Sequence, residues 1–140
     1  KGLRNIKIEV SLRDFPNSYD VKNFYGTNVQ VLKVGDIISH KLVAIRDRKV
    51  TANRDIFDSH YFLSSKYATE INEEIIKYRT GLDTKEFFTS LLDFIDDYDP
   101  ENPLSGLGEL IDEEQKEFVR SGQIVDEFRH LLQRQIDLFK

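Results

Sequence analysis

Four charged side chains, Lys41, Arg54, Asp55 and Asp58, fall at helical spacings inside otherwise apolar segments of this 140-residue chain. Charged groups on half-buried helices cost free energy unless they are paired or put to chemical use. Lys41 lies three residues after Ile38 and three before Ala44, at the edge of a buried stripe. Arg54 and Asp58 are four apart and can pair along one helix face, and Asp55 shares a face with Asp58. Two readings of this pattern stay open. In one, Lys41 or Arg54 pairs with Asp58 in an ion network that holds two helices together. In the other, a cation is aimed at a triphosphate and oriented by Asp58.

The elements that must position these groups follow from periodicity. Residues 4–12 alternate, with Ile6, Ile8 and Val10 on one side and Lys7 and Glu9 on the other, which predicts a half-buried strand. Pro16 and Asn17 mark a turn. Residues 21–25 and 29–34 read as two further strands around a turn at residues 26–28. Then the period changes. Ile38, Leu42 and Ile45 make one apolar helical stripe opened by Gly35 and Asp36, and Asn53 is placed to cap the next helix. Thr69 and Thr84 are expected to cap a third and a fourth helix, Gly81 to end the third, and Asp99-Pro100 to stop the fourth. Asp112 and Gln115 form a capping-box pattern, and Val125, Phe128, Leu132 and Ile136 recur on a final helix. The expected fold class is therefore α+β, a short antiparallel sheet followed by a helical bundle.

Composition narrows the function classes. The chain holds no Cys, so it has neither a disulfide framework nor a thiolate metal site. No apolar run approaches the roughly 18 residues of a membrane span, and a cytoplasmic protein is expected. Residues 1–54 carry 11 Lys/Arg against 5 Asp/Glu, a balance of +6, and residues 55–140 carry 9 against 20, a balance of −11; together they give the net −5. A nucleotide or nucleic acid should therefore meet the N-terminal half. The chain contains no Met and opens on Lys1, which reads as the loss of an N-terminal portion. His40, His60 and His130 are scattered and form no zinc-type pair, and no serine nucleophile motif or Gly-rich phosphate loop is present. Asp97-Tyr98-Asp99 reads as a solvated helix end.

The stretch over residues 6–63 resembles the C-terminal side of the catalytic domain in the AbiEii/AbiGii family, nucleotidyltransferase toxins of type IV toxin–antitoxin and phage-defence systems with a DNA polymerase β-like fold. Three elements carry the resemblance: a strand with a central acid like Ile8-Glu9-Val10, a helix like Ile38-x-x-Lys41-x-x-Ala44, and a helix like Arg54-Asp55-x-x-Asp58 trailed by Tyr61-Phe62-Leu63. It implies a partial nucleotidyltransferase-like domain over residues 1–64 and a C-terminal helical region over 65–140. It implies that Glu9 is a metal-binding carboxylate for Mg²⁺, the ion that stabilises the attacking and leaving oxygens in such enzymes. Lys41 and Asp58 become the catalytic positions, Lys41 on the nucleotide phosphates and Asp58 orienting it. Arg54 and Asp55 become substrate-side positions that also support the packing. The activity implied is transfer of a nucleoside monophosphate from an NTP to an acceptor such as the end of a tRNA, with an antitoxin protein as partner.

One departure matters. The family's opening motif, a Gly-Ser turn followed by an Asp-x-Asp or Asp-x-Glu pair, has no counterpart in this sequence. The resemblance thus implies a fragment that is inactive alone. The alternative is a non-catalytic α+β protein-interaction module.

Overall fold

Residues 8, 10, 12–48 and 53–139 are described by the computed structural model, with the backbone alone at Glu109. The alternating segment beyond Pro16 folds into a hairpin. Strand β1 (Tyr19–Phe24) pairs antiparallel with β2 (Thr27–Leu32), Tyr19 opposite Leu32 and Phe24 opposite Thr27. The linking Tyr25 and Gly26 have φ of 47° and 84°. Positive φ at both positions is the type I′ geometry, whose twist matches that of the paired strands. Glycine adopts it freely, and Tyr25 does so at some cost. The hairpin therefore turns at residues 25–26, earlier than the expected 26–28.

Among the described residues six helices follow: α1 (Val34–Asp47), α2 (Asn53–Leu63), α3 (Glu73–Thr80), α4 (Thr84–Asp96), α5 (Glu113–Arg120) and α6 (Gln123–Asp137). Short 3-10 turns occupy Lys66–Glu70 and Gly108–Leu110. The α+β expectation holds, with helix predominating. The core lies among the helices: Ile38, Leu42 and Ile45 of α1 meet Ile56 of α2, Ile76 of α3, Phe87, Phe88 and Leu91 of α4, and Phe128 and Leu132 of α6. A smaller cluster of Leu107, Ile111, Val119 and Ile124 sits under α5. Removing such apolar surface from water stabilises the fold by about 25 cal/mol per Å².

Three local expectations are corrected. Of the strand expected over residues 4–12, Ile8 and Val10 belong to no strand and are 84% and 79% exposed, while residues 4–7, 9 and 11 lie outside the described residues. An alternating segment becomes a half-buried strand only where a sheet edge and an apolar face receive it, and no described element packs over these two side chains. Thr69 does not cap α3. It lies in the 3-10 turn, and Asn72 caps instead, accepting from the Glu74 N–H. Nor does Thr84 cap α4: Asp83 does, in a reciprocal capping box with Glu86. A carboxylate one residue earlier reaches the free N–H groups and also suits the helix dipole. Gly81 ends α3 and Asp112 with Gln115 caps α5, as expected.

The hairpin root is fastened to the helices by a polar network. Gly35, in the first turn of α1, lies so close to the 3-10 turn that a Cβ there would be 1.8 Å from the Glu70 carbonyl oxygen. Next to it, buried Asp36 accepts from the Ser18 N–H (2.5 Å) and from Asn72 Nδ2 (2.8 Å). Ser39 Oγ accepts from the Asn72 N–H (2.9 Å). His40 completes the fastening: its Nε2 is 2.8 Å from Asn17 Oδ1, and its Nδ1 is 3.1 Å from Arg79 Nη1. A guanidinium only donates, so Nδ1 accepts and the proton is assigned to Nε2. Burial and the Arg79 charge lower the His40 pKa, outweighing the opposing pull of Asp36.

Candidate functional site

Helices α1 and α2 cross where Lys41 faces the first two turns of α2. The reason is visible in their stripes: Ile38, Leu42 and Ile45 bury one side of α1, Ile56 and Leu63 bury one side of α2, and the residues at the rim are left to meet each other. Lys41 Nζ donates to Asp58 Oδ2 at 2.7 Å and to Asp55 Oδ1 at 3.2 Å. The carboxylate of Asp55 is 3% exposed and the Lys41 side chain 28%. Burying a carboxylate so completely is costly unless cations accompany it.

A second cation does. Arg48 Nε lies 3.1 Å from Asp55 Oδ2, yet that oxygen receives no aligned hydrogen bond. The pair attracts by charge without the directional contact. Arg54 lies further out, its Nε 3.7 Å from Asp58 Oδ2 across one helical turn. Three cations (Lys41, Arg48, Arg54) less two carboxylates (Asp55, Asp58) leave the cluster at a formal +1. An ammonium carries three N–H donors, and the two carboxylates take two of them.

The structure thus brings together four of the five residues singled out from the sequence, Lys41, Arg54, Asp55 and Asp58. Glu9, the fifth, lies outside the described residues. Both readings of the spacing are served by one arrangement: the contacts tie α1 to α2, and they also hold the ammonium of a partly exposed lysine in fixed orientation.

Two participants escaped the sequence reading. Arg48 was legible in principle, since it follows Lys41 by seven residues, two helical turns, and returns to the same face. Asn53 was expected as a cap. Instead its Nδ2 donates to the carbonyls of Asn102 (2.8 Å) and Ser105 (3.1 Å), and its Oδ1 accepts from the Tyr98 hydroxyl. The start of α2 is thereby pinned to the loop after α4, and nothing local to Asn53 signals this. Burial raises the Tyr98 pKa. His60 joins a different contact, 2.9 Å from Glu127 on α6.

The fit to a divalent cation can be tested on these groups. Among the described residues no three His, Asp or Glu side chains converge to hold a metal ion. Asp55 and Asp58, the nearest carboxylates, are already taken up by Lys41 and the arginines. The described residues therefore do not by themselves form an Mg²⁺ site, and no chemical step is routed through one. Among them, too, no helix is long and apolar enough to cross a membrane.

Comparison with known proteins gives a family match. No curated protein and no solved structure is significantly similar to the chain. A family model described as nucleotidyl transferase AbiEii toxin, type IV TA system, matches residues 1–136. The match runs through the crossing of α1 and α2 and onward to the penultimate residue of α6, and the chain belongs to the AbiEii nucleotidyltransferase toxin family of type IV toxin–antitoxin systems.

Proposed function

We propose that this chain supplies the phosphate-handling side of an AbiEii-type nucleotidyltransferase, a toxin that moves a nucleoside monophosphate from an NTP to an acceptor. The observation that carries the reading is the Lys41 ammonium, oriented by Asp58 and Asp55 within a cluster of formal charge +1. A preorganised cation positioned where phosphate charge develops lowers the barrier to transfer without reorganising during the reaction. In this reading Lys41 contacts the phosphates through its remaining N–H, and Asp58 holds it in place. Asp55 anchors the pair from the interior, and Arg54 borders the substrate.

The finer parts of the reading rest on family resemblance. They are a DNA polymerase β-like catalytic domain completed by a further pair of carboxylates, Glu9 as a metal ligand, Mg²⁺ as the ion, and an RNA end such as that of a tRNA as acceptor. A cytoplasmic location, a role in phage defence and an antitoxin counterpart belong with them. Because the Gly-Ser and acidic-pair motif is missing, residues 1–140 are expected to bind nucleotide without turning it over.

The test is equilibrium binding of radiolabelled NTPs to the chain and to Lys41→Gln, with circular dichroism confirming that both are folded. A tenfold or greater loss of affinity in the folded variant supports the reading. Equal binding by the two proteins, or none by either, overturns it. A transfer rate in Mg-NTP that disappears in Glu9→Ala would show instead that residues 1–140 are catalytically complete.

A further inference from the structure

The hairpin stands apart from the helical core. Every residue of β1 is exposed, including Tyr19, Val21 and Phe24, and the apolar side chains lie on both faces of the ribbon. Two strands alone are marginal in water, and a third is usually needed for stability. An open edge is normally blunted by proline, a bulge or like-charged side chains that repel a copy of themselves; β1 has no proline, pairs with β2 without a bulge, and carries two charges of opposite sign, Asp20 and Lys22.

The hydrogen-bonding parity of the free edge can be read off. The Lys33 N–H donates to the Ser18 carbonyl, so these two residues form a hydrogen-bonded pair one step before Tyr19 and Leu32. Pairs alternate along an antiparallel ladder. Asp20, Lys22 and Phe24 therefore direct their backbone groups to β2, whereas Tyr19, Val21 and Asn23 direct theirs outward. Among the described residues, nothing accepts or donates at those outward groups.

We infer that β1 pairs with β1 of a second copy of this chain, antiparallel about a two-fold axis at Val21, making a four-stranded sheet. In this register Val21 meets its own equivalent and Tyr19 meets Asn23, so the outward amides and carbonyls of all three residues pair. The same register sets Asp20 of each copy opposite Lys22 of the other. Shifting by one ladder step either way puts Asp20 opposite Asp20, or Lys22 opposite Lys22. Opposite charges across a pair stabilise it and like charges destabilise it. Parity and charge thus select one arrangement, and that arrangement is self-complementary, as a two-fold interface must be. β2 has no charged residue to fix a register in the same way. The contact is small and belongs with weak, reversible associations. It is independent of the nucleotide reading, since Lys41 lies on α1 and takes no part.

Sedimentation equilibrium of the 140-residue chain across about 1–300 µM tests it, with circular dichroism as the check on folding. The wild type is expected to show a monomer–dimer equilibrium. Lys22→Asp alone and Asp20→Lys alone should each weaken it by about tenfold or more, since each places like charges opposite one another twice. The double exchange Asp20→Lys with Lys22→Asp should restore the dimer, and mixing the two single variants should give a heterodimer. Val21→Pro should abolish dimerisation while the hairpin persists, because the lost N–H is an outward one. A monomer throughout the range overturns the proposal, and so does a dimer that is indifferent to the exchanges, as one formed by another surface would be.

Discussion

Lys41 and Asp58, seventeen residues apart in sequence, meet at 2.7 Å across the crossing of α1 and α2. The same ammonium reaches Asp55 at 3.2 Å, and the two carboxylates differ sharply in environment: Asp55 is 3% exposed and Asp58 28%. This asymmetry separates an anchor from an orienter. The interior carboxylate depends on its cations for stability, while the outer one can change with little effect on the fold.

Removing the cation should therefore be costly. Lys41→Met leaves Asp55 buried with only the misaligned Arg48 as partner, and is expected to destabilise the chain by about 2–3 kcal/mol. Asp58→Asn retains an acceptor for Lys41 at a partly exposed position and should cost about 1 kcal/mol or less. Urea denaturation of both variants checks this. Equal midpoints for Lys41→Met and the wild type would mean that the ion network does not hold the helices together.

Gly35→Ala should be among the most damaging small substitutions. Its Cβ would fall 1.8 Å from the Glu70 carbonyl oxygen, a backbone atom that cannot swing aside. Alanine ordinarily favours a helix, so the sign is diagnostic. A loss of about 2–3 kcal/mol, the range of severe overpacking, is expected in thermal or urea unfolding. A neutral result would show that α1 and the 3-10 turn do not approach so closely.

Two buried serines should respond in opposite ways. Ser39 Oγ accepts from the Asn72 N–H and lies within donating distance of the Gly35 and Asn72 carbonyls, at 2.9 and 3.0 Å. Ser59 Oγ, equally buried, has no hydrogen-bond partner. Ser39→Ala strands the Asn72 N–H and should cost about 1–3 kcal/mol, whereas Ser59→Ala removes an unsatisfied hydroxyl and should be neutral or mildly stabilising. Comparing the unfolding midpoints of the two single variants decides the point.

His40 supplies a pH dependence of known sign. Its pKa in the fold is lowered from 6.5, first by burial and then by Arg79. The unfolded chain takes up a proton on this group at a higher pH than the folded chain does. The folded state is thus favoured fully above about pH 6.5 and loses that advantage as pH falls toward the folded pKa. NMR titration of the imidazole should show its midpoint below 6.5, and His40→Gln should flatten the fall in stability just under that pH. A midpoint above 6.5 would contradict the burial of the imidazole together with the approach of Arg79 to Nδ1.

Much of this architecture was legible in the sequence, for reasons that differ by element. The helices α1, α2, α4 and α6 announce themselves because one buried stripe must recur every three to four residues. The capping box at Asp112 and Gln115 was equally plain, since both partners lie within four residues of each other. Lys41, Arg54, Asp55 and Asp58 stood out because charge inside an apolar period demands a partner. Their meeting was foreseeable for the same reason, as the rims of two packed stripes have only each other to contact. Other features depended on the tertiary arrangement. The caps at Asn72 and Asp83 turned on which oxygen reached a free amide, and the role of Asn53 turned on a loop some fifty residues away. The alternation at Ile8 and Val10 is a pattern for a covered strand, but alternation alone does not supply the surface that covers it. Periodicity in one dimension therefore determined which faces are apolar and which charges must pair, because both are costs borne locally. Which distant backbone a side chain would bind, and whether an edge would be left open, was decided only when the elements packed in three dimensions.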